Sequence, residues 1–286
     1  MNSNWLSSLW SRVRGQPLGP GAAGAPGADQ LDEYVTSFPT HQNAIDTLKG
    51  WNQAFPAEFG VDAGAMHLHN DPRIGWAITK SGGLAGKRVM EVGPLEAWHT
   101  YMLEREGPAV LDAVEANRLS YLRCLVVKEI VGLKTARFHL GDAQLWLEDR
   151  PDRYDLIVAS GVLYHMQDPI RFLRAMAART DSLFLWTHYV DDEAMPPMDP
   201  RRGAFVSTTE TVEENGVRVI MYPRTYMGAW KSASFCGGMH DIHRWMDRAS
   251  LIDLLRTYGF DDIEIWGDQP DHPYGPAFCL YAKRSA

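Results

Sequence analysis

Glu91, Glu115 and Asp142 occupy matching places in the sequence. Each stands at or just beyond the end of a short apolar run, in Arg88-Val-Met-Glu-Val92, Val110-Leu-Asp-Ala-Val114 and Ala136-Arg-Phe-His-Leu140. Carboxylates gathered at one place favour a cation or a ligand rich in hydroxyls and amines, and they repel phosphate. His165 and His188 follow two further runs, Asp155-Leu-Ile-Val-Ala159 and Leu183-Phe-Leu-Trp186. An imidazole titrating at about pH 6.5 can take a proton from a hydroxyl or amine, and it can equally be a packed wall. Glu115 and Asp142 also have a plainer use as helix caps, and Glu96 reads most simply as an acid in the first turn of a helix. The recurrence of acids after successive runs is what points to a shared site.

Such residues meet only if a scaffold brings the run ends to one edge. From Lys87 onward apolar runs alternate with helical segments, including one that stops at Gly107-Pro108 and one closed by Gly132. That alternation predicts an α/β, Rossmann-like, mostly parallel sheet of seven strands with helices on both faces. The last two strands are Ile263-Glu-Ile-Trp266 and Ala277-Phe-Cys-Leu-Tyr281. In such a sheet ligands bind beyond the carboxyl ends of the strands, where the strand order reverses. The core is expected over residues 85–189 and 240–286, with a helical cover at 34–84. Within the cover one helix is expected over residues 39–51, and another starts with Asp71 as N-cap and Pro72 at the first helical position. Residues 190–239 break the rhythm and read as an inserted cap, with a tight hairpin at Asn215-Gly216 between the stretches 205–213 and 217–222. Trp5, Leu6, Leu9, Trp10 and Val13 share one helical face ahead of a Gly/Pro-rich linker, so residues 1–33 are expected to be disordered or weakly docked.

The loop after the first strand separates two cofactors. A dinucleotide loop needs G-x-G-x-x-G so that backbone can approach a pyrophosphate. Here Gly93 is followed by Pro94, Leu95 and Glu96, with Trp98 at the third glycine position. A carboxylate where phosphate would sit argues for S-adenosylmethionine, which has no phosphate and carries a sulfonium and an ammonium.

These residues resemble those of the class I S-adenosylmethionine-dependent methyltransferases, over about residues 85 to 190 and again from 246 to 283. The most specific stretch is Tyr154-Asp-Leu-Ile-Val-Ala-Ser-Gly-Val-Leu-Tyr-His165-Met-Gln-Asp-Pro169. The resemblance implies that Glu91 and Gly93 shape the methionine pocket, that Glu115 binds both ribose hydroxyls, and that Asp142 with Ala143 contacts adenine. Pro94, Ala116 and Ser160 complete the expected cofactor contacts, and His165 and His188 are the expected catalytic pair. The family usually has G-x-G-x-G where this chain has Gly93-Pro-Leu95-Glu-Ala97. Gly-Pro-Leu-Glu and Leu-Trp-Thr-His188-Tyr resemble bacterial members of the family.

Composition narrows the partners. Lys and Arg number 28 against 36 Asp and Glu, a formal charge of −8, so a broad basic surface for nucleic acid is not the default expectation. Cys124, Cys236 and Cys279 form neither a paired metal spacing nor a disulfide framework, and read as small buried hydrophobes of a cytoplasmic protein. His67-x-His69, His240 and His243 (one helical turn apart) and Asp191-Asp192 lack the spacing of a strong metal motif. No apolar run approaches the roughly 20 residues that span a bilayer. The expected reaction is methyl transfer to oxygen or nitrogen of a small acceptor, such as a glycan or secondary metabolite. The Leu-Tyr-His-Met-x-Asp-Pro stretch also resembles wobble-uridine modifying enzymes, which makes tRNA the alternative acceptor, with Arg171, Arg174 and Arg179 as the candidate basic track. The shortened glycine pattern leaves a non-catalytic cofactor-binding partner as a third reading.

Overall fold

Short apolar strands buried on both faces need helices on each side, and the chain supplies them in alternation. The computed structural model describes residues 34–206, 208–232 and 234–285, so the amphipathic segment and linker expected over 1–33 lie outside the described residues. The main sheet uses β1 (Arg88–Val92), β2 (Val110–Glu115), β3 (Ala136–Leu140), β4 (Leu156–Ser160) and β5 (Ser182–His188). A second sheet holds β6 (Glu210–Glu214), β7 (Val217–Thr225) and β8 (Ile242–Met246), and β9 (Asp262–Gln269) and β10 (Ala277–Lys283) return to the first. The order in the seven-stranded sheet is β3-β2-β1-β4-β5-β10-β9. Neighbours from β3 to β5 are parallel, and β10 runs antiparallel between β5 and β9. Strand order reverses between β1 and β4, and there the crossovers part to leave a crevice.

Each face of the sheet buries its own apolar core. On one side Ile45, Trp51, Phe55 and Ile74 from the cover pack with Trp98, Leu103, Cys124 and Val127 against Val89, Leu111 and Val158. The helices on this side are α1 (His41–Thr47), α2 (Pro72–Lys80), α3 (Trp98–Glu104) and α4 (Arg118–Val131), and Trp51 and Phe55 come from the stretch between α1 and α2. On the other side α5 (Ala143–Asp149), α6 (Pro169–Arg179) and α7 (Arg248–Thr257) bring Leu147, Phe172, Leu173, Leu251 and Leu255 onto Met90, Ile157 and Leu280. The expected start of α2 is present, with Pro72 at its first turn and the Asp71 carboxylate accepting from the Arg73 N–H at 2.9 Å.

Three local expectations change. The single helix expected over 39–51 ends at Thr47: the backbone leaves helical conformation at Leu48 and passes through Gly50 at φ 84°, a left-handed value that a glycine adopts at no steric cost. The hairpin turn falls at Asn215-Gly216 as expected, with φ of 50° and 80°, but its first strand begins at Glu210, and Phe205 makes only an isolated bridge to Arg224. His240 and His243 do not share a helical face: Ile242–Met246 is a strand that pairs antiparallel with β7, so the small sheet takes its third strand from residues expected in the core. Its inner positions, His243 and Trp245, are buried and the intervening Arg244 is not, a period of two that a three-residue histidine spacing conceals.

Candidate active site

The strand ends open on a cavity of about 320 Å³. Gly93, Pro94 and Leu95 after β1, Glu115 and Ala116 at β2, Gly141, Asp142 and Ala143 after β3, and Ser160 and Gly161 at β4 all line it. Of the expected cofactor residues, only Glu91 does not. It is buried beneath the loop, where the Thr100 hydroxyl donates to it, and burial pushes its carboxyl up to about 7.

Capping turns out to be divided between the acids. Asn117, not Glu115, caps α4, accepting from the N–H groups of Leu119 and Ser120 at 2.9 and 3.1 Å. Glu115 is thereby left at the cavity wall, accepting from Leu95 N–H at 3.1 Å and Asn117 N–H at 2.8 Å, with burial raising its pKa. Asp142 does cap α5, with one oxygen accepting from Gln144 N–H at 2.8 Å, and it lines the cavity as well.

The loop between β1 and α3 keeps a glycine-like path without the glycines. Gly93, Leu95 and Ala97 have φ of 67°, 56° and 62°. Two non-glycine residues in left-handed backbone must be held there by their surroundings. Glu96 does the holding: fully buried, it accepts from the N–H groups of Asn52 (3.0 Å) and Gln53 (2.9 Å) and pairs with Arg123 at 3.2 Å. Glu96 is therefore neither a ligand nor a simple first-turn acid. It ties the cover to the loop.

The remaining wall comes from residues that no period in the sequence marks. Gln53, Leu68 and Arg73 arrive from the cover, His99 from α3, Trp186 from β5, and His272 from the turn after β9. Asp71 joins two of them, accepting from the Arg73 guanidinium at 2.5 Å and lying 2.9 Å from His99 Nε2. Burial alone would raise the Asp71 pKa, but the charge of Arg73 and the His99 hydrogen bond hold it well below the usual carboxylate range. The segment from Phe235 to His240 closes the opposite side and brings Cys236 to the cavity, whereas Cys124 and Cys279 are buried.

The two expected histidines separate. His165 lines the cavity, its Nδ1 hydrogen-bonded to the Tyr226 hydroxyl, which also accepts from Gly238 N–H at 3.2 Å. Burial, with His243, His188 and Arg224 nearby, depresses its pKa well below the usual value, so it is neutral at pH 7. His188 does not line the cavity. Its ring stacks on Trp245 at 4.7 Å, and its Nδ1–H donates to the Gly275 carbonyl at 2.9 Å. The Tyr164, Trp186 and His272 rings that His188 touches are the ones facing the cavity.

This donor set fits the cofactor expected from the sequence. Carboxylates of Glu115 and Asp142 stand on one side, Ala116, Ala143 and Val162 offer apolar contact, among the described residues no lysine lines the cavity, and the two lining arginines, Arg73 and Arg171, are paired with Asp71 and Glu148. A phosphate would meet two acids, whereas a ribose and a sulfonium would be received favourably.

Comparison with known proteins agrees with the fold. The N-terminal domain of EvdMO1, solved in the presence of SAH and D-fucose, superposes with a TM-score of 0.64 at 23% identity, over 86% of this chain and 95% of that one. The tRNA U34 carboxymethyltransferase of Pseudomonas aeruginosa is 24% identical over 262 residues, covering 87% of this chain and 71% of that protein. The ubiquinone biosynthesis O-methyltransferase of Aeromonas salmonicida is 29% identical over 114 residues, 39% of this chain, and the matched stretch spans only 46% of that enzyme's length. The family model for a methyltransferase domain matches residues 77–265. That match takes in most of the sheet and the strand-end part of the crevice, and by it the chain belongs to the methyltransferase-domain family of class I, S-adenosylmethionine-dependent enzymes.

Proposed function

We propose that the chain methylates an oxygen or nitrogen of a small, polar acceptor seated beside His165. The observation that carries this reading is the lining of the cavity away from Glu115 and Asp142. It consists of the rings of Tyr164, His165, Trp186, Phe235 and His272, under the segment 235–240. Partly enclosed ring surfaces with a few polar groups suit a small hydroxylated molecule. When bound, S-adenosylmethionine supplies an electrophilic methyl group. The protein's share is chiefly orientation, which can contribute on the order of 7–11 kcal/mol. With Nδ1–H donating to the Tyr226 oxygen, Nε2 of the neutral His165 ring carries the lone pair and is the atom left to take a proton from an acceptor hydroxyl. His188 supports the ring wall from behind.

The tRNA reading draws on the alignment that covers 87% of the chain. Against it, the three arginines of the candidate track are already engaged. Arg171 pairs with Glu148 at 2.5 Å, Arg174 with Glu214 at 2.8 Å, and Arg179 donates to the Leu147 carbonyl at 2.7 Å. Two measurements decide. Calorimetry with S-adenosylmethionine is expected to show binding by the wild type that Glu115→Ala weakens at least about tenfold, roughly 1.4 kcal/mol, through loss of a charged hydrogen-bond acceptor. S-adenosylhomocysteine release is then followed with a panel of deoxysugars (D-fucose included, because EvdMO1 was solved with it) and with tRNA. Turnover on a small hydroxylated acceptor supports the proposal. Turnover on tRNA alone, with binding that falls steeply as salt rises, replaces it.

A further inference from the structure

Gln53 lines the cavity at 1% exposure, yet among the described residues its side-chain Oε1 has no hydrogen-bond partner. A buried amide oxygen left unmatched weakens a fold, and such atoms in native proteins call for an explanation. Everything around this one is built to hold it in place. The Gln53 N–H donates to Glu96 at 2.9 Å, and the Gln53 carbonyl accepts from Gly64 N–H at 2.9 Å. On either side, the Asn52 carbonyl accepts from Met66 N–H at 3.1 Å and the Ala54 N–H donates to the Met66 carbonyl at 2.6 Å. A Cβ at position 64 would collide with the backbone of Asn52 and Gln53, so this close approach requires the glycine found there. The main chain at residue 53 is satisfied and fixed, and the side-chain amide is the group left over.

The placement says what it receives. Glu96, which pins Gln53, belongs to the loop after β1, and the neighbouring Gly93, Pro94 and Leu95 bound the cavity at that end. Asp142 stands two strands away, beyond β3. We infer that Gln53 Oε1 accepts a hydrogen bond from the α-ammonium of the methionine portion of S-adenosylmethionine, with the cover thereby forming part of the cofactor site. This inference rests on the cofactor assignment above. It makes the unmatched atom a feature of the ligand-free protein only.

The test uses calorimetry of the full chain with two probes. S-adenosylhomocysteine carries the amino-acid portion; 5′-methylthioadenosine keeps the adenosine and the thioether and lacks it. Gln53→Leu is expected to weaken S-adenosylhomocysteine at least about tenfold while leaving 5′-methylthioadenosine within about twofold. The Tm of the ligand-free variant is expected to be unchanged or raised, because an unmatched polar atom has been removed. Should the leucine variant fail to fold, Gln53→Met carries the same comparison in a more adaptable side chain. Unchanged S-adenosylhomocysteine affinity, or equal losses for both probes, overturns the inference. Wild-type protein that binds neither probe overturns the cofactor assignment instead.

Discussion

Leu95 and Ala97 hold backbone that costs an L-residue about 1–2 kcal/mol relative to the right-handed regions. Their neighbours offset that cost: Leu95 N–H donates to Glu115 at 3.1 Å, and Ala97 N–H donates to the Pro94 carbonyl at 2.8 Å. The strain is local, so its relief can be measured locally. Ala97→Gly is expected to leave stability in urea unfolding within about 1 kcal/mol, since relief of the left-handed backbone is matched by the extra entropy of glycine in the unfolded chain. Ala97→Val should lose at least about 2 kcal/mol, because a β-branched residue tolerates this backbone worst and position 97 is fully buried. Equal stability of the two variants would show that the loop is not strained. At His165 the relevant feature is likewise a single contact, the Tyr226 hydroxyl on Nδ1, and under the proposed acceptor site Nε2 is the nitrogen that faces the acceptor.

Between elements, Glu96 is the main tie. One carboxylate joins the loop before α3, the segment after α1 and, through Arg123, α4. Burial raises its pKa, and the donors from Asn52, Arg123 and Gln53 pull the other way. Glu96→Ala would leave a buried guanidinium and two backbone N–H groups without their acceptor. The expected loss is about 3–5 kcal/mol in urea unfolding. Hydrogen exchange at Asn52 and Gln53 should accelerate more than exchange in β4 or β5, which do not touch the tie. Uniform acceleration, or no loss of stability, would contradict this role. The cap is attached differently. β8 pairs with β7, while Arg244 N–H donates to the Met166 carbonyl at 3.0 Å, so the small sheet is fastened close to His165.

Across the whole molecule, buried titratable groups set the response to pH. Burial lowers His188 to about 3, and His243 and His272 to about 4, so all three are neutral in the fold and charged in the unfolded chain below their ordinary value of 6.5. Groups with depressed basic pKa values bind more protons when unfolded, and stability is therefore lost as pH falls from 6.5 toward 4. Glu91 works in the opposite sense: raised from 4.5 to about 7, it contributes most below 4.5 and less as pH rises to 7. His69 and His165 are depressed as well and Glu96 and Glu115 are raised, so five histidines outweigh three carboxyls. Stability is expected to be greatest at pH 6.5 to 7 and to fall on acidification by more than the roughly 1.4 kcal/mol per pH unit of a single proton. His188→Phe should lower Tm at pH 7, by loss of the Gly275 hydrogen bond, yet make the acid slope shallower by up to one proton. A slope unchanged by this substitution would exclude His188 as a contributor.

The α/β alternation, the hairpin at Asn215-Gly216, the start of α2 and the line of acids at the strand ends were all legible in the sequence. Each is carried by a short-range period or by a turn residue whose conformational preference is its own. Glu115 could be read as a site residue before its geometry was known, because strand ends converge in any sheet of this order. The sequence carried no comparable mark for Gln53, Arg73, His99 or His272. They reach the cavity through contacts such as Glu96 with Asn52 and Gln53, which lie 44 and 43 residues away and follow no period. The same holds for the separation of the two histidines. Both follow strands and looked equivalent, but β8 brings Trp245 onto His188, and Tyr226 from the cap onto His165 leaves only the second at the cavity. Local pattern chose the scaffold and its acidic crevice; which side chains close that crevice depended on how distant segments pack.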